Sequence, residues 1–176
     1  MRICAIALAA LAVAATPAFA SAPQPKKPFD VERMPGRWYE IARTPNQLNR
    51  DCQGSATDWA PAGDGSFKIV AVCREGSPTG PEKVVIKGDV RITDPASHAK
   101  VRMYLFGGLI AADYWLLDRA DDYSWLIMGT PNGKFISIMA ARPALSAGAK
   151  AAVLLDARAL GYDTTKLVFP AQPNRD

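Results

Sequence analysis

The chain has 176 residues, a one-domain length, with 21 Lys and Arg against 17 Asp and Glu and a single His. The charge is mildly basic and dispersed: Lys26-Lys27 is the only adjacent basic pair, which argues against a nucleic-acid or other polyanion partner. One His leaves most nucleophilic and metal-assisted chemistries without their usual base or ligands.

Residues 1–20 read as a leader removed on export. Arg2 provides the positive start, Ile3 to Val13 is an unbroken apolar run too short to span a bilayer, and Ala18-Phe19-Ala20 is a small-x-small cleavage signal. Cys4 lies too early for a lipoprotein cleavage site, so the expected product is periplasmic or secreted and has no lipid anchor. Its balance is 20 basic against 17 acidic residues. Residues 21–28 carry three prolines and read as a flexible leader, leaving 29–176 as the folded domain.

From Trp38 to Ala141 short apolar segments are cut by turn chemistry, notably Pro61-Ala62-Gly63-Asp64-Gly65, Gly76 to Pro81, Thr93-Asp94-Pro95, Gly107-Gly108, Arg119 to Asp122 and Pro131-Asn132-Gly133. Phe67, Ile69, Ala71 and Cys73 alternate with Lys68, Val70, Val72 and Arg74, the period of a half-buried strand, and Val84, Ile86, Val90 and Ile92 form a second such set. Lys83, Lys87 and Arg91 then mark one solvated face. Segments 113–118, 123–129 and 134–141 are apolar on both faces and need an outer cover. Residues 146–160 supply it as an amphipathic helix, with Ser146 as N-cap, Gly161 as stop and Ala149, Val153, Ala157 and Leu160 on one stripe. Lys166 to Phe169 reads as a last short strand. The fold class is all-β: about eight strands closing into an antiparallel up-and-down barrel, with one helix packed outside.

Two cysteines, Cys52 and Cys73, remain once Cys4 is removed with the leader. The options are a disulfide, a metal site or a reactive thiol. Export favours the disulfide, and placement at the ends of hairpin partners makes it reachable. His98 sits in the turn-like Asp94-Pro95-Ala96-Ser97-His98 and reads as a solvated turn residue. No catalytic set, metal or cofactor is expected.

Three motifs, in order, carry a resemblance covering about residues 29–172. They are Gly36-Arg37-Trp38-Tyr39-Glu40-Ile41-Ala42-Arg43, then Asp113-Tyr114-Trp115-Leu116-Leu117-Asp118 followed by Tyr123 and Gly129-Thr130-Pro131, and finally Arg142-Pro143 before the helix. The pattern resembles the lipocalin family, in the branch of bacterial outer-membrane lipocalins and apolipoprotein D. The resemblance implies structural roles for Gly36, Trp38 and Arg142, with Trp38 plugging the closed end of the barrel and Arg142 stacking on it. It departs from many bacterial relatives in lacking an N-terminal anchor Cys.

Trp59, Met103, Tyr104, Phe106, Trp115, Met128 and Met139 supply more large apolar surface than a solid eight-stranded core needs, and so are the candidate ligand contacts. Glu40 shares the parity of Trp38 and joins them as a lumen carboxylate, which could bind a polar ligand head or serve as an acid, or be a hydrogen-bonded structural group near the barrel floor. The expected function is binding, with transport or storage, of a fatty acid or lysophospholipid, without catalysis, by a monomer or weak dimer. Peripheral contact with membrane lipids stays open. A filled-barrel stress protein of the envelope and an exported enzyme are the alternatives.

Overall fold

Segments of alternating polarity joined by tight turns bury their apolar face most simply by curling into a closed sheet, which also removes exposed strand edges. In the computed structural model, which describes residues 22–47 and 49–173, this is realised as eight antiparallel strands closed in sequence order. They are β1 (Gly36–Arg43), β2 (Cys52–Gly63), β3 (Ser66–Glu75), β4 (Glu82–Ile92), β5 (Lys100–Leu105), β6 (Ile110–Arg119), β7 (Trp125–Gly129) and β8 (Ile136–Ala140). β1 closes the barrel, pairing with β2 through Trp38↔Thr57 and with β8 through Glu40↔Met139. Gly36 opens β1 at φ +116, a conformation that costs residues with a Cβ dearly and accounts for the glycine of the first motif.

Register partners share a face of the sheet, so the inward side of Trp38 can be followed around the barrel. Trp38 faces with Thr57, Thr57 with Ala71, and Ala71 with Ile86. Val90 faces with Met103, and Met103 with Ala112. Leu116 faces with Met128, and Met128 with Ser137. The inward residues of the lower half form one core, in which Trp38, Trp59, Phe67, Val90, Leu116 and Leu126 are closed from below by Phe29 and Tyr123.

The outward residues of the doubly apolar strands form a second core. Helix α1 (Ala147–Ala159) lies over Leu117, Trp125, Ile127, Ile136 and Ile138 and contributes Val153, Ala157 and the following Leu160. Ser146 caps it, its Oγ accepting from the Ala149 N–H, and Gly161 ends it at φ +90 with its N–H on Arg158 O. Beyond it, Thr164–Lys166 forms a 3-10 turn, and the expected last strand shrinks to one bridge, Val168 to Arg43.

The Cys52–Cys73 disulfide joins β2 to β3 across a Cα–Cα distance of 5.3 Å. The leader read at 1–20 lies outside the described residues. Residues 22–28, read as flexible, run down the outside of the barrel. The Ala22 N–H donates to Pro131 O and the Lys26 N–H to Leu117 O, and the Lys26 ammonium pairs with Asp118 at 3.2 Å.

Candidate functional site

The upper half of the barrel is open, and the inward side chains there enclose a cavity of about 450 Å³, within the roughly 300–1,000 Å³ typical of small-molecule sites. Its floor is Met34, Trp38 and Trp59. Trp38 is 4% exposed and its indole N–H donates to Met34 O at 2.9 Å, which sets the ring across the barrel. Trp59 meets Phe67 edge-on at 5.9 Å.

The expected stacking of Arg142 on Trp38 is not found. Arg142 is exposed, and none of the cation–π contacts among the described residues involves it. It follows the last β8 residue, Ala140, and the chain is already leaving the barrel there. The cations that cap the closed end come from elsewhere. The Arg119 guanidinium lies 4.5 Å from the Tyr123 ring centre and 5.8 Å from that of Phe29, and Arg33 covers Tyr123 at 4.8 Å.

Six of the eight expected ligand contacts line the cavity: Trp59, Met103, Phe106, Met128, Met139 and Glu40. Tyr104 and Trp115 do not. Each neighbours an inward residue on its strand, so the pleat turns it outward. Tyr104 sits in a shallow outer depression with Arg91, whose guanidinium is 5.7 Å from its ring. Trp115 packs on the outer core under the Lys100 ammonium at 4.7 Å. The strand parity of Tyr114 and Leu116 was readable in the sequence, but which side was the lumen was not. Both line the cavity, with Tyr114 edge-on to Phe135 at 6.2 Å. Ile69, Ala71, Ile86 and Ala112 also line it and were missed, because medium-sized aliphatic residues do not stand out by size.

One wall is polar. Glu40 is the only residue of the described lining whose side chain carries a charge. Its carboxylate accepts from the Arg43 guanidinium at 2.9 Å and from Ser137 Oγ at 3.0 Å. Arg43 is 2% exposed and donates further to the carbonyls of Asn49 and Cys52, so the charge is matched within the protein. Glu40 faces the lumen, and its bonds to Arg43 and Ser137 are those of a hydrogen-bonded structural group. Asn46 and Asn49 of the β1–β2 connection continue this wall towards the mouth, and Ser55 and Thr57 of β2 carry it down, Thr57 pairing with Trp38 of the floor. The facing wall is apolar, and burial there pushes the Tyr114 phenol above its ordinary value of 10.0. His98 lies at φ +55 in the β4–β5 turn, outside the lining. Among the described residues no group of three or more His, Cys, Asp and Glu could hold a metal ion.

Comparison with known proteins agrees with this geometry. The family profile described as a lipocalin-like domain matches residues 29–172. The outer membrane lipoprotein Blc of Escherichia coli K12 is 25% identical over 174 residues, 93% of this chain and 96% of that protein. Temperature-induced lipocalin-1 of Arabidopsis thaliana is 26% identical over 149 residues, 80% and 78% of the two chains. Among solved structures, insecticyanin of the tobacco hornworm Manduca sexta superposes with a TM-score of 0.66 at 18% identity, covering 86% of this chain and 85% of its own. Apocrustacyanin C2 gives a TM-score of 0.61 at 17% identity, covering 91% and 94%.

Proposed function

This chain belongs to the lipocalin-like domain family, and on that premise we propose that its upper cavity binds one amphiphile of the fatty acid or lysophospholipid class, for transport or storage outside the cytoplasm. The observation that carries the reading is the cavity itself: about 450 Å³, apolar on one wall, with its single charge already neutralised by Arg43. An acyl chain against Met103, Met128 and Met139 gains ~0.8 kcal/mol for each methylene buried. Association opposes it by several kcal/mol. A chain of about fifteen methylenes therefore reaches micromolar affinity, roughly 8 kcal/mol, without a specific head-group contact. Met side chains are long and unbranched and adapt to ligands of different shape, so several amphiphiles should compete for the site.

The Cys52–Cys73 disulfide supports a location in an oxidising compartment, periplasmic or secreted. The similarity to the outer membrane lipoprotein Blc supports an envelope role. The role is binding without catalysis: the lumen's carboxylate is held by Arg43 and Ser137 in the geometry of a structural ion pair.

The test is organic extraction of the purified protein with mass spectrometry of the extract, followed by titration of the delipidated protein with lysophospholipid, read by Trp fluorescence. A co-purifying amphiphile and a saturable change at about one ligand per barrel are expected, as the cavity holds one small ligand. No saturable response to fatty acids, lysolipids or a generic apolar dye would overturn the reading.

A further inference from the structure

The inner end of the lumen is polar on one side, where a plain hydrocarbon tail would come to rest. Glu40 is the next inward position of β1 above Trp38, and Thr57 of β2 pairs with Trp38. The pairing of β1 with β2 ends at Tyr39↔Ala56. Just beyond that point Gln172 ties the two strands together. Its side-chain amide donates to Glu40 O at 2.8 Å and to Ser55 O at 2.9 Å, which sets Ser55 beside Glu40. Ser137 joins the group from β8, its Oγ donating to the Glu40 carboxylate at 3.0 Å. A carboxylate and the hydroxyls of Ser55, Thr57 and Ser137 therefore share one wall close to the floor, opposite the apolar wall.

The bonds from Arg43 and Ser137 take about half of the acceptor sites of Glu40, since a carboxylate offers about four. Arg43 already balances its charge, which decides what the remaining capacity suits. A cation would bring a net charge into the lumen, and a second carboxylate would set acceptor against acceptor. A neutral hydroxyl does neither. We propose that this inner end is a hydroxyl-binding subsite, and that the amphiphile taken best is an acyl chain hydroxylated towards its methyl end; this rests on the ligand reading above and adds a polar contact to it. The ligand hydroxyl donates to the Glu40 carboxylate and accepts from the Thr57 hydroxyl, using both of its capacities. A plain methyl end covers the same groups and returns nothing for the water it displaces, which is costly for buried polar atoms. A site built to hydrogen-bond a hydroxyl rejects the analogue lacking it more strongly than an apolar pocket sorts ligands by size.

The test titrates the delipidated protein by calorimetry with palmitate, α-hydroxypalmitate and ω-hydroxypalmitate, and with a soluble apolar dye that competes for the cavity. The three acids differ only in whether a hydroxyl is present and where it lies. ω-Hydroxypalmitate should bind about tenfold more tightly than palmitate, the effect of one hydrogen bond to a charged group. α-Hydroxypalmitate keeps its hydroxyl beside the head and should bind as palmitate does. Glu40→Met combined with Arg43→Met removes the acceptor and both buried charges together, which a fold tolerates better than the loss of one partner. That double variant should bind palmitate more tightly than the wild type and should reverse the preference, because the ω-hydroxyl is then buried among apolar groups. Thr57→Val leaves the ion pair in place and should shrink the wild-type preference about threefold. A wild type that binds palmitate as tightly as ω-hydroxypalmitate, or more tightly, overturns the proposal and leaves the cavity reading intact. Equal gains from the α- and ω-hydroxyls overturn it as well, since position along the chain would then not matter. A preference that survives in the double variant places the hydroxyl on another wall and refutes the subsite. If neither the acids nor the dye bind saturably, the cavity reading fails and the subsite falls with it.

Discussion

Replacing Trp38 by Ala takes out one of the two Trp side chains of the barrel floor. The ring is 4% exposed, and truncating a buried aromatic costs about 3–5 kcal/mol through lost transfer energy and the cavity left behind. The indole N–H also leaves Met34 O, a carbonyl on a residue itself 3% exposed, adding about 1–3 kcal/mol where no water reaches it. Arg142 contributes nothing to the loss, because it does not contact the ring; a cost built on that stack would be overstated. The total, about 4–8 kcal/mol, is a large part of the roughly 5–15 kcal/mol that holds a domain folded. At about 2–4 °C per kcal/mol for a chain of this size, the midpoint should fall by about 10–30 °C. Urea denaturation followed by circular dichroism gives the free energy, with an unchanged m-value as the check that the unfolded state is the same. Below its own midpoint the variant should still bind amphiphile, since the walls above the floor remain. A variant that melts like the wild type but no longer binds would refute the reasoning and make Trp38 a ligand contact rather than a structural plug.

The Cys52–Cys73 bridge closes a short loop and should contribute about 3 kcal/mol, so unfolding in reductant should move to lower urea by that amount; free thiols in the unreduced protein would count against the bridge. Glu40→Gln strips Arg43 of its carboxylate in a site where it is 2% exposed, and should destabilise by about 3–5 kcal/mol; Arg43→Met in the same chain should restore much of this, and additive losses in the double variant would show that the pair is not coupled. Arg37 grips Asp58 through two bonds, of 2.8 and 2.7 Å, and holds its carboxyl below the ordinary 3.8. A lowered folded value means this contribution is complete above about pH 4 and disappears as the pH falls through the lowered value. Asp58→Asn should therefore flatten the acid limb of the stability curve, and an unchanged limb would place acid sensitivity elsewhere. Ligand should alter the fluorescence of Trp59 in a Trp115→Phe background and leave the response intact, because Trp115 faces outward; abolition of the signal by that single change would reverse the assignment.

Strand number, barrel closure and the covering helix with its Ser146 cap and Gly161 stop were legible in the order of residues, because each depends on a local period or a turn residue; the Cys52–Cys73 pairing followed instead from export and from the two cysteines left after the leader. The deep part of the ligand site was half legible. Alternation told that Tyr114 and Leu116 share a side, and Trp115 and Leu117 the other, yet strands apolar on both faces give no internal sign of which side is the lumen. That was decided by the register that carries the inward face from Trp38 to Thr57, Ala71 and Ile86, and by the helix choosing one face of the later strands to cover. Tyr104 fell outside for the same reason, through its pairing opposite Ala111 on the outer face. Arg142 was misplaced because a stack depends on the path of the chain after β8, which no spacing encodes. The sequence by itself determined that these residues make a closed barrel with an apolar interior, since hydrophobic period and turn chemistry act over a few residues. Only the tertiary structure decided which side chains face that interior and that Glu40 meets Arg43 and Ser137 there, because each is a meeting of distant segments fixed by register and closure.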